Sequence, residues 1–247
     1  MLKRIFCTVT ILILCISSLP QDVSYYKAIQ KNSTDPIRPE QFKKMEQDAL
    51  KNYGQPESYA VLVRSFGNTT EKVWAVIYGE VYCLLSTNAD RISEMGSLVY
   101  KWYDQSLSKK GNNLSVNLTE NAQALPNQAP FESQFEMSFL LAAAPLSNQL
   151  PPLSIKGLAG IRKTQLSFLT QKKSPSTELM REQQAIMAAG HFEAYNYWLF
   201  KAARQEEFDE WLKSHQSQFQ AWLDWHRDNK FDIRSPDFQR LYMLRKQ

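Results

Sequence analysis

An all-α fold is predicted by three observations. Glycine is scarce, at eight in 247 residues. Apolar residues recur at three- and four-residue spacing along most of the chain, and no segment sustains the two-residue alternation of a half-buried strand. Proline and Gly/Asn pairs fall between the periodic runs, where helices stop and restart.

The first twenty residues stand apart. Lys3 and Arg4 precede an apolar run from Ile5 to Ile16, and the small residues Ser17 and Ser18 follow, the layout of a secretory signal peptide. The run is shorter than the roughly 20 residues that cross a bilayer, so no transmembrane helix is expected once the leader is removed. Leu12-Ile13-Leu14-Cys15 resembles a bacterial lipobox, but Leu14 is large where that box takes a small residue. A periplasmic or secreted location is therefore expected, ahead of a lipoprotein.

Without Lys3 and Arg4 the net charge of +4 falls to +2, and basic residues are dispersed among acidic ones, which argues against a nucleic-acid partner. Cys7 and Cys15 lie in the leader, so Cys83 remains alone and cannot form an internal disulfide. Asn32, Asn68, Asn113 and Asn117 open N-x-[ST] triplets. An Asn-, Ser- and Thr-rich composition accounts for these by chance, and the single cysteine suits a bacterial periplasmic protein better than a disulfide-rich secreted one.

The elements follow in order. After a polar leader ending at Pro39, the run 40–52 places Phe42, Met45 and Ala49 on one face. Gly54-Gln55-Pro56 stops it, and Pro56 can open a second helix bearing Tyr59, Leu62, Val63 and Phe66. Gly67-Asn68 supplies residues suited to a left-handed cap. Thr70 is the expected N-cap of a third helix with Trp74, Ile77, Tyr78, Val81 and Tyr82, a stripe wide enough for burial on more than one side. Asn88-Ala89-Asp90 separates it from a fourth, 91–108. Periodicity lapses over 109–127, the expected loop or boundary. Helices are predicted again at 131–144 and 155–169, from a cap at Ser176 or Thr177 to Ala189, and at 192–203, with Gly190 as a turn. Short aromatic helices are predicted at 206–214 and 217–228, and a last one at 236–244. The expected layout is a leader at 1–20, helical hairpins at 21–110, a loop or hinge at 111–130, and a C-terminal helical region at 131–247, with both helical parts able to form one continuous body.

The second helix pair begins about 34 residues after the first, the period of tetratricopeptide units. Residues 185–203 resemble the turn and second helix of such a repeat: Gly190 at the turn, Phe192 after it, Ala194 where helices touch, and Trp198 at the large aromatic position. The match covers about half of one unit, and Tyr78 stands where the first helix of a repeat has a small residue. The resemblance implies antiparallel helix pairs stacked in a repeat-like array with a concave surface that binds a protein or peptide; the density of aromatic residues in the last third adds the expectation of an aromatic-rich C-terminal bundle. It transfers no catalytic residue.

Chemistry-bearing constellations are few. His191 and Glu193 are two apart and diverge on a helix. His215 and His226 are separated by about 16 Å of helix. Neither spacing holds a metal, and solvated or capping histidines are expected. Cys83 sits in an apolar helix with no base beside it. Glu206-Glu207 and Asp209-Glu210 read as charged helix faces. No nucleotide, hydrolase or metal motif is present, so no cofactor, metal or catalytic residue is assigned. The expected function is an exported protein-binding module, in its sharper form an immunity or inhibitor protein whose partner is a toxin or envelope enzyme. A cell-wall- or lipid-acting enzyme and a structural envelope component are the alternatives. The expected binding groove is lined by Trp74, Tyr78 and Tyr82 on one helix and Tyr195 and Trp198 on another, with Trp225 and Arg227 as an exposed aromatic and its basic rim.

Overall fold

The computed structural model describes residues 23–111, 113–120, 131–149, 153–171 and 177–244. The leader, residues 112, 121–130, 150–152 and 172–176, and the last three residues lie outside the described residues. Among these residues eleven α-helices accompany a single two-stranded hairpin, so the protein is all-α.

Its centre is a helix that cannot face water. Lys72–Leu85 carries apolar or aromatic residues on every side, and Val73 to Leu84 are all buried. A helix apolar all round finds a minimum only inside a protein. This helix is α4. The helices α1 (Val23–Ile29), α2 (Pro39–Lys51), α3 (Glu57–Gly67) and α5 (Ala89–Ser106) precede and follow it, with α3 and α5 packed directly on it. Gly79 permits the α5 contact, because a Cβ there would stand 2.3 Å from Val99 Cγ2.

Local signals set the starts. Asn88 Oδ1 accepts from Arg91 N (3.1 Å) at the head of α5. Such caps contribute about 1 kcal/mol each. Thr70 does not cap α4: its backbone N–H and hydroxyl both bond Ile29 O, at 3.0 and 3.4 Å, and Thr69 Oγ1 accepts from Glu71 N instead. Gly67 is not left-handed either. Its small size is what counts, since a Cβ would meet the Trp102 ring at 1.8 Å.

The lapse in periodicity after α5 conceals a hairpin. Leu107–Lys110 (β1) and Asn113–Val116 (β2) pair antiparallel, with Leu107 opposite Val116. Gly111 turns it at φ +61°, a backbone region open to glycine. The exiting chain is pinned where Glu136 Oε2 accepts from Leu118 N and Thr119 N, at 2.5 and 2.8 Å.

Glu136 belongs to α6 (Phe131–Ala143), which runs into a 3₁₀ turn (Ala144–Gln149). Then come α7 (Ile155–Gln171), α8 (Glu178–Ala188) and α9 (Phe192–Phe200). Thr177 Oγ1 accepts from Met180 N (3.2 Å) as the N-cap of α8. The two predicted aromatic helices are one, α10 (Gln205–Asp228), kinked at His215 (φ −125°, ψ 21°). Polar residues 214–217 bend the helix without ending it.

Beyond α10 the chain crosses back as a strap, burying Phe231, Ile233 and Phe238, and ends in α11 (Arg240–Leu244), shorter than predicted. Gln239 Nε2 donates to Ala49 O (3.1 Å) and Tyr59 OH (2.8 Å). The Arg240 guanidinium pairs with Glu46 through two bonds, donates to Tyr26 OH (3.0 Å), and lies 4.2 Å from the Tyr25 ring centre. The strap thus locks α1 and α2 from the far end of the sequence. Buried side chains from every part form one apolar cluster. No helix among the described residues is long and apolar enough to cross a membrane.

Candidate functional site

The expected aromatic groove is not formed. Trp74, Tyr78 and Tyr82 are core residues of α4, at 1 %, 1 % and 0 % exposure, and Tyr195 and Trp198 are buried on α9. The polar tips of the three α4 rings are bonded: Trp74 Nε1 donates to Glu132 (2.9 Å), Tyr78 OH accepts from Arg240 N (3.2 Å), and Tyr82 OH donates to Glu57 (3.4 Å). Helical spacing of aromatics served packing. Trp225 is half-buried, and exposed Arg227 is held by Asp224 (2.9 Å) and Asp228 (3.0 Å) on its own helix.

Behind α4 lies a sealed polar network. Glu80 Oε1 accepts from Arg162 Nη2, Tyr195 OH and Gln183 Nε2, the last at 2.7 Å, while Arg162 Nη1 donates to Asn196. Four helices, α4, α7, α8 and α9, meet there. Burial works against the Arg162 charge, but Glu80, Tyr195 and Tyr103 together offset it and hold its pKa above the usual value. The Tyr195 hydroxyl is pushed far up by burial and then by Glu80. Glu80 and Arg162 are 2 % and 3 % exposed, beside a cavity of about 30 Å³, space for a water or two. Groups this buried tie the four helices together.

The histidines support packing. His215 stacks on Trp211 at 4.7 Å and 8°, with Nδ1 2.8 Å from Trp211 O. Trp211 stacks in turn on Tyr197 at 4.2 Å. His226 stacks on Trp222 at 4.9 Å, and its pKa is lowered by burial. His191 lies 5.8 Å from Trp225. Burial pushes the Cys83 thiol up, away from nucleophilic behaviour. Glu207 accepts from Lys156 N (3.3 Å) and Arg204 (3.3 Å), Asp209 from Gln205 (2.8 Å), and Glu210 from Lys213 (2.5 Å). No trio of His, Cys, Asp or Glu among the described residues is placed to hold a metal.

The open concavity is elsewhere. A cleft of about 320 Å³ runs between α7, the α8–α9 turn and α10. Lys156, Gly160 and Lys163 of α7 line one side at i, i+4 and i+7, a single helical face. Met187, Gly190 and Phe192 line the other, and Gln218 overhangs from α10. Gly190 (φ +81°) closes α8 and turns the chain tightly into α9. The α10 kink sets the overhang, because Trp211 anchors the first half on Tyr197 while Trp222 anchors the second on Tyr195 (5.2 Å) and Trp198 (5.7 Å). Glu193, the acid in the lining, is engaged by Trp211 Nε1 (3.2 Å). Lys156 and Lys163 are exposed and have no ion pair among the described residues. Of the lining, sequence reasoning had singled out Gly190, Phe192 and Glu193 without joining them to the lysines. The faint signal was a polar stripe on α7 interrupted by Gly160.

Compared with protein-family models, with curated proteins and with solved structures, the chain gives no significant match.

Proposed function

We propose that this chain is an exported, non-catalytic module that binds another protein, and in the narrower form an immunity or inhibitor protein that blocks a toxin or an envelope enzyme. The observation that carries this reading is the contrast between its two polar regions. The groups with chemical potential, Glu80 with Arg162 and Glu46 with Arg240, are spent on each other within the fold. The accessible cleft offers instead small and apolar side chains, two lysines, one amide and one carboxylate already bonded to Trp211, a lining suited to contact. The order of helix pairs, α2 with α3 and α4 with α5, supports a repeat-like array, and the leader supports export. Antiparallel pairs stacked in this way present extended binding surfaces.

The test is retention of a partner. Tagged residues 21–247, immobilised and exposed to envelope extract of the source organism, are expected to retain one protein at a fixed stoichiometry after a high-salt wash, identified by mass spectrometry. Mixing that protein with the chain should then inhibit its activity if the narrower form holds. A column that retains nothing, repeated with the chain expressed in its own cells and crosslinked there, overturns the binding reading.

A further inference from the structure

The cleft beside α10 carries information about its occupant, and the reasoning rests on the protein-binding reading above. Lys156 and Lys163 stand seven residues apart on α7, about 10 Å along the axis at 1.5 Å per residue. Between them Gly160 has open space where a Cβ would project, so the wall is indented at its middle. Met187 and the edge of Phe192 supply the apolar part of the facing surface, next to Glu193. The result is an apolar dent with a cation at each end.

Neither lysine forms an ion pair among the described residues, and the two acids nearest them are fixed by other donors. Glu193 accepts the Trp211 indole N–H. Glu207 reaches the Lys156 backbone N–H and pairs with Arg204. The opposite wall adds Gln218, which carries no charge. A cleft of about 320 Å³ sits at the low end of ligand-sized cavities, enough for a few side chains of a protein segment. We infer that the cleft receives a segment of a partner protein in which one apolar side chain is flanked by two carboxylates about 10 Å apart, the apolar group seating over Gly160 and the carboxylates meeting Lys156 and Lys163.

Exposed ion pairs contribute little singly and act mainly on encounter and choice of partner, so the effect is one of selectivity. The probes are two blocked helical peptides that differ only in charge: leucine flanked by glutamates at i and i+7, and the same peptide with lysines. Binding is followed by ¹H–¹⁵N NMR of residues 21–247 at low salt. The acidic peptide is expected to shift the Gly160 and Gly190 amides and to bind roughly tenfold more tightly than the basic one. The double variant Lys156→Glu/Lys163→Glu should reverse that order, and Lys101→Glu, exposed on α5, should not. Equal binding of both peptides, shifts confined to other residues, or no shift at millimolar peptide overturns the inference. The captured partner separates the two readings. If wild type and the double variant retain it equally, the binding function stands and this docking site falls; if neither retains any protein, the function itself falls.

Discussion

Removing the Arg162 charge while leaving its partner is the most direct test of how the core is held. Arg162→Met keeps a long apolar side chain beside the Phe192, Tyr195 and Phe200 rings, which lie 5.4 to 5.8 Å from the guanidinium. It strands the Glu80 carboxylate, 2 % exposed, with only two neutral donors, Gln183 and Tyr195. It also deprives Asn196 Oδ1 of its donor. Breaking a buried pair from one side costs about 3–5 kcal/mol, against a total stability of about 5–15 kcal/mol for a domain. At roughly 2–4 °C per kcal/mol for a chain of this size, the melting temperature should fall by about 6–20 °C. Glu80→Gln together with Arg162→Met removes both charges and keeps the amide oxygen as acceptor for Gln183 and Tyr195, so most of the loss should return. Urea denaturation by circular dichroism on the two singles and the double closes a cycle with an expected coupling above about 2 kcal/mol. A coupling near zero, or a single variant within about 1 kcal/mol of wild type, would refute the reasoning, because it would mean the pair is screened by solvent.

Other perturbations read other parts of the fold. Gly96→Ala should cost at least 1–3 kcal/mol, since its Cβ would stand 1.9 Å from the Leu199 carbonyl oxygen of α9, whereas Gly54→Ala, with open space around it, serves as the near-neutral control in the same thermal melts. Glu71, raised to about 7 by burial first and by Glu132 among its neighbours, holds its proton in the fold at pH values where the unfolded chain, with a pKa of about 4.3, has lost it. Its contribution is therefore complete below about pH 4.3 and is lost as pH rises through 7, so Glu71→Gln should match wild type in acid and exceed it by roughly 3 kcal/mol at pH 8; equal pH profiles would dismiss the assignment. His226 has the opposite sign. Its folded pKa is lowered by burial, so the unfolded state binds the proton more readily below about pH 6.5, and His226→Phe should abolish the acid-side loss of stability that this residue causes.

Much of the fold was legible because punctuation and periodicity agree in it. Pro56, Asn88, Thr177 and Gly190 each act on the backbone within a residue or two, and each lies at an observed helix boundary. The hairpin was missed because four residues a strand give too few alternations to stand out, and α1 because seven residues give barely two turns. The α10 kink failed for a different reason: Ser214 to Ser217 are poor helix formers, but Trp211 and Trp222 hold both halves against α9 and override that preference. The binding residues were the least legible. Spacing tells that Trp74, Tyr78 and Tyr82 share a helix with apolar neighbours, yet a buried ring and a groove-lining ring look identical in one dimension. The cleft draws on residues from 156 to 218, and its character lies in what is missing from Gly160 and in lysines without an ion pair among the described residues, neither of which a local window detects.

The strap also sets an order on folding. Buried Glu46 has its cationic partner Arg240 194 positions later in the chain, so this pair cannot close while the segment around Arg240 is still being made. Contacts so distant along the chain slow folding. For a chain exported as proposed above, a pair that joins its two ends keeps the buried Glu46 without its cation until the whole sequence has been delivered.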